Sequence, residues 1–140
     1  MDFRTIADIE IGDKATFTKT ISEADVYLFA GITGDLNPSH VNAEYAKTTS
    51  FKERIVHGQL TVALLSAVIG TQLPGPGTII VSQSVEFTAP VYFGDTITAE
   101  IKVIEKQADK NRLKLEANCL NQNGKTVASG EFIVSPYVKR

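Results

Sequence analysis

The stretch HGQLTVALLSAVIGTQL, residues 57–73, decides the fold. It has no proline, is apolar on nearly every face of a helix, and halts before Pro74-Gly75-Pro76-Gly77. A helix that is apolar all round is expected to be buried all round. Its longest apolar run, Leu60 to Gly70, is about half of a membrane span, so the expectation is a core helix rather than a bilayer helix. The rest of the chain must supply the wrapping.

Downstream of this helix the pattern changes period. Residues 78–89, 95–107, 111–121 and 125–135 read as strands. In ITAEIKV, Ile97, Ala99, Ile101 and Val103 alternate with Thr98, Glu100 and Lys102. In RLKLEANC, Leu113, Leu115, Ala117 and Cys119 alternate with Arg112, Lys114, Glu116 and Asn118. Such alternation gives one buried and one wet face, the habit of antiparallel sheets. Asp109-Lys110-Asn111 and Gln122-Asn123-Gly124 read as the hairpin turns, the Asn-Gly pair being the stronger signal. One long sheet with one apolar face and one apolar helix have an economical joint solution, a curved antiparallel sheet rolled around a central helix. This is an α+β class, the hotdog fold. It leaves strand edges exposed, so pairing with a second copy, a homodimer, is expected.

Upstream, ATFTKTI (residues 15–21) alternates as a strand, and Ser22 with Asp25 forms a capping-box start for a short helix, SEADVYLFAGI, ending near Gly31 to Gly34. Residues 34–57 read as irregular. No repeat, linker or low-complexity tract divides the 140 residues, so a single domain over 1–140 is expected. Net charge is −2 with Lys and Arg scattered; no basic stripe points to nucleic acid. The single cysteine, Cys119, excludes an internal disulfide and fits a reducing compartment. The N-terminus MDFRTIADIEIGD lacks the apolar segment of a signal peptide. A soluble cytoplasmic protein, with no membrane partner, is the expectation.

The chain has two histidines, His40 and His57. In GDLNPSH (residues 34–40), Asn37 suits an N-cap and Pro38 the first helical position, which puts His40 third in a short helical turn. Asp35 lies just outside the cap, where free N–H groups favour a carboxylate. A histidine beside a carboxylate can orient or deprotonate a water; the same residues also suit an ordinary capped loop. His57-Gly58 opens the apolar helix, where the glycine allows close backbone approach and its N–H can face an anion or oxyanion. Ser66, mid-helix among apolar residues, is expected to bond the Val62 carbonyl. Two His and one Cys offer no zinc ligand set by spacing, so no metal and no cofactor are expected.

These residues resemble a known family. YLFAGITGDLNPSHVNAEYAKTTSFKERIVHG (27–58), LLSAVIGTQLPGPG (64–77) and SQSVEFTAPVYFGD (82–95) look like the (R)-specific enoyl-CoA hydratases, the MaoC-like hotdog enzymes. The paired motif Gly-Asp-x-Asn-Pro-x-His and Ile-Val-His-Gly is the specific part. The resemblance spans roughly residues 10 to 135. It implies an acyl-CoA (enoyl thioester) substrate, with Asp35 and His40 as the catalytic pair, the Gly58 amide as oxyanion donor and Ser66 as a substrate-binding residue near the pair. Asn42 stands where relatives often have Asp; either residue caps the following turn. Under this reading, a water held by Asp35 and His40 adds across a trans-2-enoyl thioester, giving (R)-3-hydroxyacyl-CoA reversibly. The alternatives are a 3-hydroxyacyl-acyl-carrier-protein dehydratase, a hotdog thioesterase and a non-catalytic acyl-thioester binder. The role of His57 is open.

Overall fold

The structure, a computed structural model, describes residues 2–140. Five strands form one antiparallel sheet in the order β1-β3-β4-β5-β2: β1 (Lys14–Thr20), β2 (Ile79–Phe87), β3 (Thr96–Gln107), β4 (Arg112–Leu120) and β5 (Thr126–Ser135). Among the described residues four α-helices accompany them: α1 (Glu23–Thr33), α2 (Pro38–Val41), α3 (Ala43–Ala46) and α4 (Gly58–Thr71). The hotdog layering read from the sequence is the one found. α4 lies across the sheet and touches β1, β2, β3 and β4.

Each strand of the second half follows its alternation. Ile97, Ala99, Ile101 and Val103 of β3, and Leu113, Leu115, Ala117 and Cys119 of β4, are all buried. They meet Val62, Leu65, Val68 and Ile69 of α4 in one apolar cluster. The register shifts between Val103 and Glu105, between Cys119 and Leu120, and between Ile80 and Ser82. Such irregularities bend a strand and add twist, which lets a flat ladder close over a helix. Gly130 of β5 meets its neighbour so closely that an added Cβ would lie 1.9 Å from the Ser84 carbonyl oxygen of β2.

One expectation fails. α4 is not buried on every face: Gln59, Ala63, Ser66, Ala67 and Thr71 are exposed and share one stripe along the helix. A single sheet covers one side of a helix, and the described residues supply no second layer for the other. Edge strand β2 is open in the same way, with Ile79, Val81 and Phe87 exposed. The hydroxyl that returns to the carbonyl four residues back is that of Thr71, to Ala67 at 2.6 Å, rather than that of Ser66 to Val62.

Cys119 sits under α4, its Sγ 3.9 Å from the Thr61 carbonyl oxygen. Burial pushes its thiol up to about 12, with Glu100 adding to the shift. Because the thiolate is the reactive form, the folded protein should react with a disulfide reagent roughly two decades or more slowly than the urea-denatured chain. Equal rates would place Cys119 at the surface. No helix is long and apolar enough to cross a membrane among the described residues.

Candidate active site

The site is built by caps. Ser22 accepts the Asp25 N–H while the Asp25 carboxylate accepts the Ser22 N–H at 2.9 Å, so α1 begins where the sequence places it. That backbone hydrogen bond holds the Asp25 carboxyl below the usual carboxylate range against the opposing pull of desolvation, and Lys19 at 3.1 Å adds to it. α1 ends on Gly34, whose left-handed backbone (φ 79°) turns the chain towards the motif. Asn37 accepts the Ser39 N–H at 3.1 Å, Pro38 occupies the first turn, and His40 follows as the third residue of α2. Asn42 then caps α3 by accepting the Tyr45 N–H at 3.0 Å.

Asp35 occupies the short link between α1 and α2. Its N–H donates to the Thr33 hydroxyl at 3.1 Å, and its Oδ1 accepts the Asn37 N–H at 3.2 Å. This is the free-amide contact expected of a carboxylate outside a cap. His40 is only 8% exposed, and its Nδ1 lies 2.7 Å from the Ile55 carbonyl oxygen. A carbonyl can only accept, so Nδ1 carries the hydrogen, and in the neutral ring Nε2 keeps the lone pair. Ile55 is itself fixed, by its N–H to the Ser39 carbonyl at 3.1 Å and by a bridge to Tyr92.

Arg54 ties this segment to α1. Its guanidinium donates to the Tyr27 hydroxyl at 2.6 Å and the Glu23 carboxylate at 3.1 Å, and lies 4.7 Å from the Phe93 ring centre. α1 and the segment leading into Ile55 are thus held together.

Asp35, His40 and His57 each offer one ligand-type atom, all within 4.8 Å of one another. One water with hydrogen bonds of about 2.8 Å spans such a gap. The same trio is the grouping able to approach a metal ion among the described residues. Two of its ring nitrogens already face carbonyl oxygens, Nδ1 of His40 and Nε2 of His57. Sequence spacing did not reveal this trio, because His57 comes from a separate element.

Beside His40 opens a cavity of about 540 Å³, lined by Val56, Gly58, Thr61, Phe87 and Val91 among others. Its walls are mainly apolar, as expected of a site for a hydrocarbon chain. Gly58 stands at the first position of α4, where its N–H is one of those no helical carbonyl can accept. α1, α2 and α3 each receive a side-chain cap; α4 receives none from its N-cap residue, His57. A Cβ at residue 58 would come within 2.7 Å of the Phe87 ring, so any larger residue there makes Phe87 shift. His40 and Gly58 therefore line one cavity, and Asp35 and His57 approach His40 without lining it. Ser66 lies elsewhere, on the exposed stripe of α4 about 12 Å along the axis from Gly58.

Comparison with known proteins agrees with this geometry. The family profile described as MaoC like domain matches residues 7–123. The chain is 50% identical to an (R)-specific enoyl-CoA hydratase of Rhodospirillum rubrum, over 91% of this chain and 88% of that protein. Among solved structures it is similar to the unliganded R-hydratase of Pseudomonas aeruginosa, with TM-score 0.90 and 47% identity, covering 96% of this chain and 86% of the other. It is also similar to the (R)-hydratase of Aeromonas caviae, with TM-score 0.88 and 39% identity, covering 91% and 97%. With the family profile matching residues 7–123 and the similarity running nearly end to end, the chain belongs to the MaoC-like family.

Proposed function

We propose that this protein hydrates trans-2-enoyl-CoA thioesters to (R)-3-hydroxyacyl-CoA, reversibly. The observation that carries the reading is the placement of an Asp35 carboxylate oxygen and a His40 ring nitrogen within 4.8 Å of each other, with His40 lining an apolar cavity that also reaches an uncapped helix start. The water held by the pair loses a proton as its oxygen bonds to C3. Electron density moves onto the thioester oxygen, where the Gly58 N–H meets it. A proton then returns from the pair to C2. Loss of the enoyl absorbance of crotonyl-CoA, without release of free thiol, is the expected result. Thiol release at an unchanged double bond would assign a thioesterase instead. The product should fail to reduce NAD with an (S)-specific hydroxyacyl-CoA dehydrogenase; rapid reduction would overturn the stereochemistry.

The working form proposed is a homodimer. Strand β2 leaves an unpaired, partly apolar edge, and α4 leaves one stripe uncovered. Both are liabilities in a lone chain, and a second copy across them covers both. It would also give Ser66 surroundings that one chain lacks. Sedimentation during turnover should show a dimer; a fully active monomer would remove this part of the reading.

A further inference from the structure

His57 was the motif residue without a role, and with Thr61 it is one of the two most deeply set polar side chains near the site. It is 1% exposed. Its Nε2 lies 3.0 Å from the Asp35 carbonyl oxygen, so Nε2 carries the hydrogen and donates it. One face of its ring stacks on His40, with centres 3.9 Å apart and planes 29° apart. The Phe29 ring of α1 lies 4.8 Å away, tilted by 58°. Its Nδ1 is buried and has no hydrogen-bond partner among the described residues.

We propose that His57 is a positioning residue for the hydration, clamping the Asp35 backbone through its Nε2–H and fixing the His40 ring by stacking. The inference rests on the assignment of Asp35 and His40 as the acid–base pair. The other bonds that hold Asp35 are local, to Thr33 and Asn37, and would move with the loop. The His57 bond ties Asp35 to a distant element, the start of α4, and therefore to the core. It also ties it to Gly58, the next residue. One side chain thus sets the spacing between the carboxylate, the imidazole and the helix start. The unpaired Nδ1 argues that the slot is not shaped for packing alone, since an apolar ring of similar size would leave no orphaned nitrogen.

Three substitutions separate positioning from packing. H57Q places an amide N–H where Nε2 stands but lacks the ring. H57F keeps a ring against His40 and Phe29 but lacks the donor. H57N is too short to reach Asp35. If the clamp matters, kcat falls about 10- to 100-fold in H57F and H57N, because small misplacements of reacting groups cost that much. H57Q recovers part of the loss, and KM stays within about threefold throughout. If His57 only fills space, H57F retains wild-type kcat, and that result overturns the inference.

A measurement on the unmodified protein guards against variants that fail to fold. With only two histidines in the chain, nitrogen-15 NMR of the rings resolves both. His57 should show a protonated Nε2, protected from exchange, and an unprotonated Nδ1. The opposite tautomer would overturn the clamp whatever the variants do. Asp35→Asn and His40→Gln are assayed alongside: if these retain full turnover, the pair itself is misassigned. If they lose it while H57F does not, only the role of His57 falls.

Discussion

Asp35→Asn, and separately His40→Gln, should each lower kcat by at least about two decades, since positioned acid–base groups contribute roughly 10²- to 10⁴-fold. Asn keeps the size of Asp35 and can still accept the Asn37 N–H through its amide oxygen, so the loop geometry survives while the base is lost. Gln at position 40 keeps a polar side chain but lacks the imidazole. KM should change less, because neither side chain carries the bulk of the cavity wall. A purely scaffolding role forecasts the reverse. Loss of a capping contact would lower stability by roughly 0.5–2 kcal/mol and leave turnover per folded molecule intact. Melting temperature and kcat measured on the same samples separate the two.

Gly58→Pro should cost comparably. Removing one oxyanion donor is worth about 2.7–4 kcal/mol, or roughly 10²- to 10³-fold in kcat. Proline suits the first turn of a helix, where the missing N–H breaks no helical bond, so α4 should persist. Its added carbons meet Phe87, whose side chain is exposed and free to swing. Gly58→Ala isolates that steric contribution: it crowds Phe87 in the same way but keeps the N–H. The alanine variant should retain much more activity than the proline variant, with circular dichroism unchanged in both. Equal losses would trace the effect to Phe87 and take the amide out of the mechanism.

Much of this was legible in the residues, for physical reasons that differ by element. β3 and β4 alternate because one face meets α4 and the other meets water. Their bounds, Thr96–Gln107 and Arg112–Leu120, fall within a residue of the expected strands. The Ser22 capping box and the Asn37-Pro38 start are local chemistry, and local chemistry survives folding. The open stripe of α4 was not legible. Ala63 and Ala67 look apolar in sequence, but whether a layer exists to cover them is a property of the assembled chain. His57 was missed as the tie to Asp35 because their separation in sequence encodes no contact. The available signal was chemical: a second histidine beside the helix start, in a chain with only one other. The cavity was equally hidden, since Phe87, Val91 and Thr61 reach it from different elements.

On the proposed mechanism, Asp35 and His40 act as one unit on one water. The double variant Asp35→Asn/His40→Gln tests it most directly, measured for kcat with crotonyl-CoA beside both singles and the parent. Groups that share one step are non-additive. The predicted result is a double variant little slower than the poorer single, with the second substitution costing less than about tenfold. A double variant whose loss is the product of the two single losses would contradict it, because each residue would then be contributing independently of the other.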